Sequence, residues 1–485
     1  MKTIINIKEN DNQYQMTKKE LEQTHPHYDA FKSEWLFYIR SFLGGKFYRD
    51  GDYLLQHPFE SNNTYKRRKE TAYYYNYCQP IVDVFSSYLY KRGPKRSYGS
   101  LSPLTVPPRK PGTLFDKFWW DCDYEGLNFD QFMRDAQKLA SVYGRISIIV
   151  DKSQVRAATE ADAFDKDIRP YLAIITPEIF LDWKYERQSN GGMVLTYAKI
   201  LEAEGMDAQG AKFKRYRIWT IIGWELWEEK KQKTALINSG EHGLGMVPLV
   251  NLYNKRSGIR MVGVSDIQDI AAINKNIYTL CSDAKEIVEN TAFPMLALPY
   301  DKGGNETVEV GPRNILQFDP EQPNSKPFWL EPPHSSLTEI REWVMQDAQE
   351  IARIAMMGGL RNVETSTQPW SGTSIIAQNQ QLHGVLVEKA TNAEQAELDI
   401  LKLYAKWQGQ EFEGNVEYPT EYDVKDLALS IQTLASAQMA GIRSGVFEKE
   451  RQKSFVAIAL PGLDEAKREK INKEIDNGSA GDISS

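Results

Sequence analysis

Basic residues are in the minority in this chain: 59 lysines and arginines stand against 66 aspartates and glutamates, for a formal net charge of −7. Proteins that grip nucleic acid over their whole surface draw affinity largely from cationic contacts to phosphate, so this balance disfavours such a binder. Cysteine is scarce. Cys78, Cys122 and Cys281 lie far apart, form no CxxC pair and sit at no ligand spacing from a histidine, so they read as free buried thiols. No run approaches the roughly 18 apolar residues that span a bilayer. The opening MKTIINIKENDNQ lacks the apolar centre of a signal peptide, so no membrane role and synthesis in a cytoplasm are expected.

Catalytic signatures are missing too. The six histidines, His25, His27, His57, His242, His334 and His383, form no HExxH or related ligand set. No GxxxxGK[ST] phosphate loop occurs, and GGKFYRDG (Gly44–Gly51) has its glycines and lysine in the wrong order for one. GxSxG is absent, and no pair of aspartates stands out as a two-metal centre. The expectation is a protein without catalytic residues, cofactor or metal.

Aromatic residues, by contrast, are plentiful, with 11 tryptophans and 25 tyrosines. Two readings fit: large apolar interfaces with other subunits, or an aromatic core. The 485 residues have room for two to four modules.

Residues 1–27 are polar and aperiodic and read as a mobile N-terminal arm. From Tyr28 to Tyr90 the pattern is helical. Phe31, Trp35, Tyr38 and Ile39 recur at helical spacing, and Tyr77, Ile81, Val84, Phe85 and Tyr88 share a face. KRGPKRSYGSLSPLTVPPRKPG then reads as a flexible break. The next helix has Asn128 as its N-cap, an apolar face from Phe129 to Tyr143, and its end at Gly144. After it the period changes to two. RISIIVDKS, YLAIITPEIFLDW, MVLTYAKILEAE and YRIWTIIGWELWEEK read as strands of a mostly antiparallel sheet that closes near MVPLVNLYNKR.

From about Val264 to Thr291 the apolar positions Ile270, Ile273, Ile277, Leu280, Ala284 and Ile287 form a stripe of alternating threes and fours, with Ser265 as cap. Between Phe293 and His334 short extended segments take over (FPMLALP, ETVEV, NILQF, PFWLEPP). A second long helix follows over about Ser336–Met357, with Leu337, Ile340, Val344, Ile351 and Ile354 as its stripe. GGLRNVETSTQPWSG (Gly358–Gly372) is a turn-rich break, and a third long helix spans about Thr373–Gln408. A short strand (FEGNVEYP) and helices that include DLALSIQTLASAQMAG and VFEKERQKSFVAIA close the chain. Two long helices flanking a compact module are the central feature of the reading.

That order resembles the portal proteins of tailed bacteriophages. NYCQPIVDVFSSYLY looks like the family's early helix leading into its wing. VSDIQDIAAINKNIYTLCSDAKEIVENTAFPMLAL looks like the first stem helix running into the clip, and SGTSIIAQNQQLHGVLVEKATNAEQAELDI is similar to the long helix after the tunnel loop. The N-terminal half, with its tryptophan, Gly-Gly and KRRKE segments, looks like a subclass known mainly as an uncharacterised portal-like family. The resemblance implies an α+β, portal-like fold. Its parts are an arm over 1–27, a wing over 28–262 that is helical and then β-rich, a first stem helix over 263–292 and a small α/β clip over 293–335. A second stem helix over 336–357, a tunnel loop over 358–372, a long helix and return strand over 373–424, and a helical crown and tail over 425–485 complete it.

In function, the resemblance implies a ring, most often of twelve copies, at one capsid vertex. The channel of such a ring passes double-stranded DNA during packaging and ejection. Its expected partners are copies of itself, the terminase large subunit, a head-tail adaptor, and major capsid and scaffold proteins. It belongs to the virion and is assembled in the host cytoplasm. Gly358, Gly359, Arg361, Asn362, Glu364, Trp370, Ser371 and Gly372 then fall in the DNA-proximal loop, where the glycines permit sharp turns and Arg361 meets phosphate. Ile270, Ile273, Ile277, Leu280, Ile287, Ile340, Val344 and Ile351 fall in the stem packing, against the alternative of a helical hairpin within one monomer. Phe328 and Trp329 fall in the clip, as partner contacts or as its own core. Asp283, Lys285, Glu286, Glu289, Glu339, Arg341, Glu342 and Asp347 are expected to face away from the stripes, a mixed set leaning acidic that would let a duplex slide. The alternatives are a nucleic-acid-processing enzyme with dispersed catalytic residues, or another capsid or neck structural protein.

Overall fold

A computed structural model describes residues 16–58, 60–155, 157–207, 210–231, 233–292, 295–299, 315–318, 328–330, 335–355, 372–420, 422, 445–459 and 465–476. The chain divides into two compact units, Met1–Thr420 and Glu421–Ser485.

The first unit opens with α1 (Lys18–Glu22), closed by a capping box in which Thr17 and Glu20 satisfy each other's backbone N–H groups. Residues 16–27, expected as part of a mobile arm, are pinned to the protein instead. His25 donates its N–H to the Leu181 carbonyl (2.9 Å) and stacks its ring on Trp183 at 4.0 Å. The buried Lys199 ammonium donates to the Gln23 carbonyl (2.5 Å). The helices α2 (Pro26–Leu43), α3 (Gly45–Arg49), α4 (Asn62–Thr71) and α5 (Cys78–Leu89) form a layer around a tyrosine cluster. There Tyr48 stacks on Tyr74 at 3.8 Å.

The stretch read as a flexible break contains β1 (Lys95–Ser97), and its Arg96 is buried against Glu397 at 2.7 Å. An ion pair formed between residues 301 apart leaves no local periodicity to read. After α6 (Leu114–Trp120) comes α7 (Phe129–Tyr143), capped as expected: the Asn128 side chain accepts from the Gln131 N–H, and Gly144 closes the helix at φ 83°.

Two separate sheets follow where one was expected. β2 (Arg145–Lys152) and α8 (Glu160–Asp165) precede β3 (Pro170–Ile175). Next come β4 (Phe180–Arg187), β5 (Met193–Met206), β6 (Lys212–Thr220), β7 (Gly223–Lys230), β8 (Lys233–Glu241) and β9 (Leu249–Tyr253). Strands β3-β2-β9 make one antiparallel sheet, and β4 through β8 make a five-stranded meander. The break falls at Thr176–Pro177, inside what reads as one apolar run, where tight turns close at Ile179 and Phe180 and pass the chain to the second sheet. Trp183, Trp219, Trp224 and Trp227 are all buried, so much of the aromatic content serves the core.

α9 (Gln268–Ala292) is a 25-residue helix, about 37 Å long. It leads into β10 (Met295–Pro299), β11 (Ile315–Phe318) and β12 (Phe328–Leu330), a three-stranded sheet in the order β11-β10-β12. β10 runs parallel to β11 and antiparallel to β12. α10 (Ser335–Ile354) returns alongside α9. The 36-residue α11 (Gly372–Trp407) packs on β9, β2 and α5, and β13 (Asn415–Glu417) pairs back onto β1. The described residues are thus mixed α+β, as the sequence implies.

In the second unit, α12 (Gly445–Ala459) packs on α13 (Glu465–Asp476), tied by Lys453 to Asp476 at 2.6 Å. The segment DLALSIQTLASAQMAG lies outside the described residues.

Candidate functional site

The hairpin of α9 and α10, with its three-stranded insert, is the feature that ordinary packing explains least, and its root is built from closely fitted polar parts. At the base, Gly144 and Gly263 allow two backbones to cross: a Cβ on Gly263 would sit 1.9 Å from the Gly144 carbonyl oxygen. Just beyond, the Ser265 hydroxyl donates to the Val142 carbonyl (2.6 Å) and accepts from the Ile267 N–H (3.1 Å). Ser265, expected as the cap of this helix, lies three residues before its first residue, Gln268, and instead braces the turn leading into it and fastens that turn to the end of α7.

Lys389 of α11 closes the same junction. It is 2% exposed, and its ammonium donates to Asp266 (2.5 Å), to the Ser141 hydroxyl (3.1 Å) and to the Asn254 side-chain oxygen. A buried ammonium is stable only when paired and hydrogen-bonded, and here the pairing joins α7, the exit from β9, the foot of α9 and α11.

Further along α9, the Asn274 side chain bridges the Tyr75 carbonyl (2.9 Å) and the Tyr77 N–H (3.0 Å). Tyr278 enters the tyrosine cluster, 5.2 Å edge-on from Tyr48. Arg68 of α4, almost fully buried, pairs with Glu60 at 3.0 Å and with Asp283, and donates to the Leu55 carbonyl (2.5 Å). Lys285 donates to the Thr71 carbonyl (3.0 Å), and Arg67 pairs with Glu289 at 3.2 Å. Asp283, Lys285 and Glu289, expected on the free outer face of the stem, thus meet the α4 layer. α4 and the following extended segment run beside α9, and their charges pair across that contact.

Between α9 and α10, Asn276 donates to Asp347 (2.7 Å). Ile270, Ile277 and Ile351 are buried, while Ile273, Leu280, Ile287, Ile340 and Val344 are half-buried in the single chain. Some large apolar groups remain outside: Trp343 is 57% exposed, Val288 51% and Met345 46%. The two helices carry eight acidic side chains against four basic ones.

Phe328 and Trp329 lie on β12, opposite Ala297 and Leu296 of β10. Gly358, Gly359, Arg361, Asn362, Glu364, Trp370 and Ser371 lie outside the described residues, and Gly372 is the first residue of α11.

A cleft of about 940 Å³ opens near the far end of α11, lined by Lys152, Trp224, His242, Tyr404 and Trp407 among others. Both nitrogens of His242 are committed: Nδ1 accepts from the Leu244 N–H (3.2 Å), which leaves Nε2 to donate to the Thr220 carbonyl (3.0 Å). Among the described residues no group of three or more histidines, cysteines, aspartates or glutamates could hold a metal ion, and no helix is long and apolar enough to cross a membrane.

The family described as "Domain of unknown function (DUF4055)" matches residues 266–408. That is under a third of the chain, and it runs from Asp266 at the foot of α9 to the end of α11. No curated protein matches. Among solved structures, the chain is similar to one described as "Virion of native gene transfer agent (GTA) particle", at 12% identity and a TM-score of 0.40, covering 84% of this chain and 96% of that one. It is also similar to one described as "Neck of empty GTA particle computed with C6 symmetry", at 11% identity and a TM-score of 0.42, covering 83% and 96%.

Proposed function

We propose that this chain is the subunit of a phage portal: a closed ring at one capsid vertex through which double-stranded DNA is packaged and ejected. The observation that carries the reading is the α9–α10 hairpin. It is anchored at its foot by Lys389 and along its side by Arg68, bears a small sheet at its tip, and leaves Trp343, Val288 and Met345 uncovered. A helical pair serving only its own core has no need of an uncovered tryptophan, whereas a ring of heterologous contacts needs two complementary faces on each subunit.

On this reading α9 and α10 are the stem and the three-stranded module is the clip, the docking platform for the terminase large subunit during filling and for the head-tail adaptor afterwards. Residues 358–372 form the tunnel loop, and 425–485 the crown. The acidic excess of the stem helices suits a channel past which a duplex slides, because few cations are offered to displace its counterions. Deleting residues 360–369 tests the loop. Rings should still assemble while DNA packaging fails, whereas loss of the ring itself would place the loop elsewhere.

A further inference from the structure

β8 is the last strand of its sheet: it pairs with β7 and with no other described strand. Exposed edges of this kind are ordinarily blunted by charges, proline or a covering segment, because their free backbone groups accept a further strand. The middle of β8 has neither charge nor proline. Ala235, Leu236, Ile237, Asn238 and Ser239 are all exposed, Leu236 and Ile237 at 47% each. A bulge opposite Leu226 and Trp227 is the blunting device present, and it interrupts the strand only locally. At the far end of β8, Ile222 is 57% exposed and its carbonyl accepts the His242 N–H (3.1 Å), which prolongs the apolar edge.

The chain brings its own N-terminal segment to this edge. The Thr234 hydroxyl donates to the Met16 carbonyl (2.5 Å), and Lys18 pairs with Glu229 of β7 at 2.8 Å. Residue 16 therefore sits beside the start of β8. Upstream the sequence reads MKTIINIKENDNQYQ, in which Thr3–Ile7 is β-branched at four of its five positions and flanked by Lys2 and Lys8. Thr234 and Ile237 are about 10 Å apart at strand rise. The eight residues from Lys8 to Gln15 reach at most about 29 Å, enough to turn back along the strand.

We propose that Thr3–Ile7 of the same chain adds to the open edge of β8 as an antiparallel sixth strand, with Ile7 toward Leu236 and Thr3 toward Gly240. Main-chain hydrogen bonds supply the affinity, and the short connection to Met16 holds the segment at a high effective concentration. The added strand would also cover an edge that otherwise invites pairing between molecules.

Hydrogen exchange on the full chain, compared with a chain lacking residues 2–8, tests this directly. Among Ala235–Ser239, the amides that point away from β7 should exchange on the order of tenfold faster in the truncated chain, with those of β5 and β6 unchanged. Equal exchange in the two would overturn the proposal. A second test pairs Ile7→Cys with Leu236→Cys, or Ile5→Cys with Asn238→Cys, the positions the proposed register sets opposite each other, under mild oxidation and measured against the single variants. A disulfide within one chain supports the assignment; no disulfide, or one formed only between chains, overturns it.

Discussion

Arg68 shows how a side chain that reads as solvated charge can hold the protein together. Its sequence context, KRRKE, is what an exposed helix face looks like, yet its guanidinium is buried between Glu60 and Asp283. Replacing it with methionine leaves Glu60, itself buried, and the partly buried Asp283 without a counter-charge, a defect that costs about 3–5 kcal/mol. Denaturant titration of Arg68→Met should show a loss of that size, and one below about 1 kcal/mol would mean that the clamp is relaxed in solution.

A second residue-level expectation concerns pH. Burial holds the His242 pKa below its ordinary 6.5, and the Leu244 N–H occupies the nitrogen that would take the proton. As pH falls through about 6.5 the unfolded chain binds a proton here before the folded one does. This contribution to stability is therefore intact above that pH and declines below it, until the folded pKa is reached. The stability difference between the native chain and His242→Gln should narrow from pH 7.5 to 5.5, and a constant difference would refute the assignment.

Among the elements, legibility followed burial. α7 could be read cap to cap because one face is wholly buried and both ends carry their signals, Asn128 and Gly144. The stripes of α9 and α10 were visible for the same reason. β8 was not: nearly every position is exposed, so KTALINSGE has no alternation to betray a strand. Nor could the sequence reveal that Asp283 is claimed by Arg68, 215 residues away, or that Arg96 reaches across 301 residues to Glu397. Such pairs exist only once the fold brings them together, and that is also why the anchors of the candidate site went unread while its helices did not.

Trp343 is the largest uncovered apolar group on the hairpin, and aromatic anchors of this kind cost 2 kcal/mol or more when truncated at an interface. Trp343→Glu should leave the folded subunit intact by circular dichroism while shifting it from large assembly to single subunit in sedimentation. An unchanged assembly would remove Trp343 from the interface.

At the scale of the whole molecule, the proposed portal ring requires self-association. On the proposed reading, the fastened foot, the clamped flank and the uncovered residues of the α9–α10 hairpin belong to a subunit that meets its own copies, and the acidic excess of the two helices would keep a duplex from adhering. Electron microscopy of the purified full-length chain examines that claim most directly. The expected result is an annular particle with an open axial channel and cyclic symmetry. A homogeneous field of compact, solid, single-chain particles would contradict it.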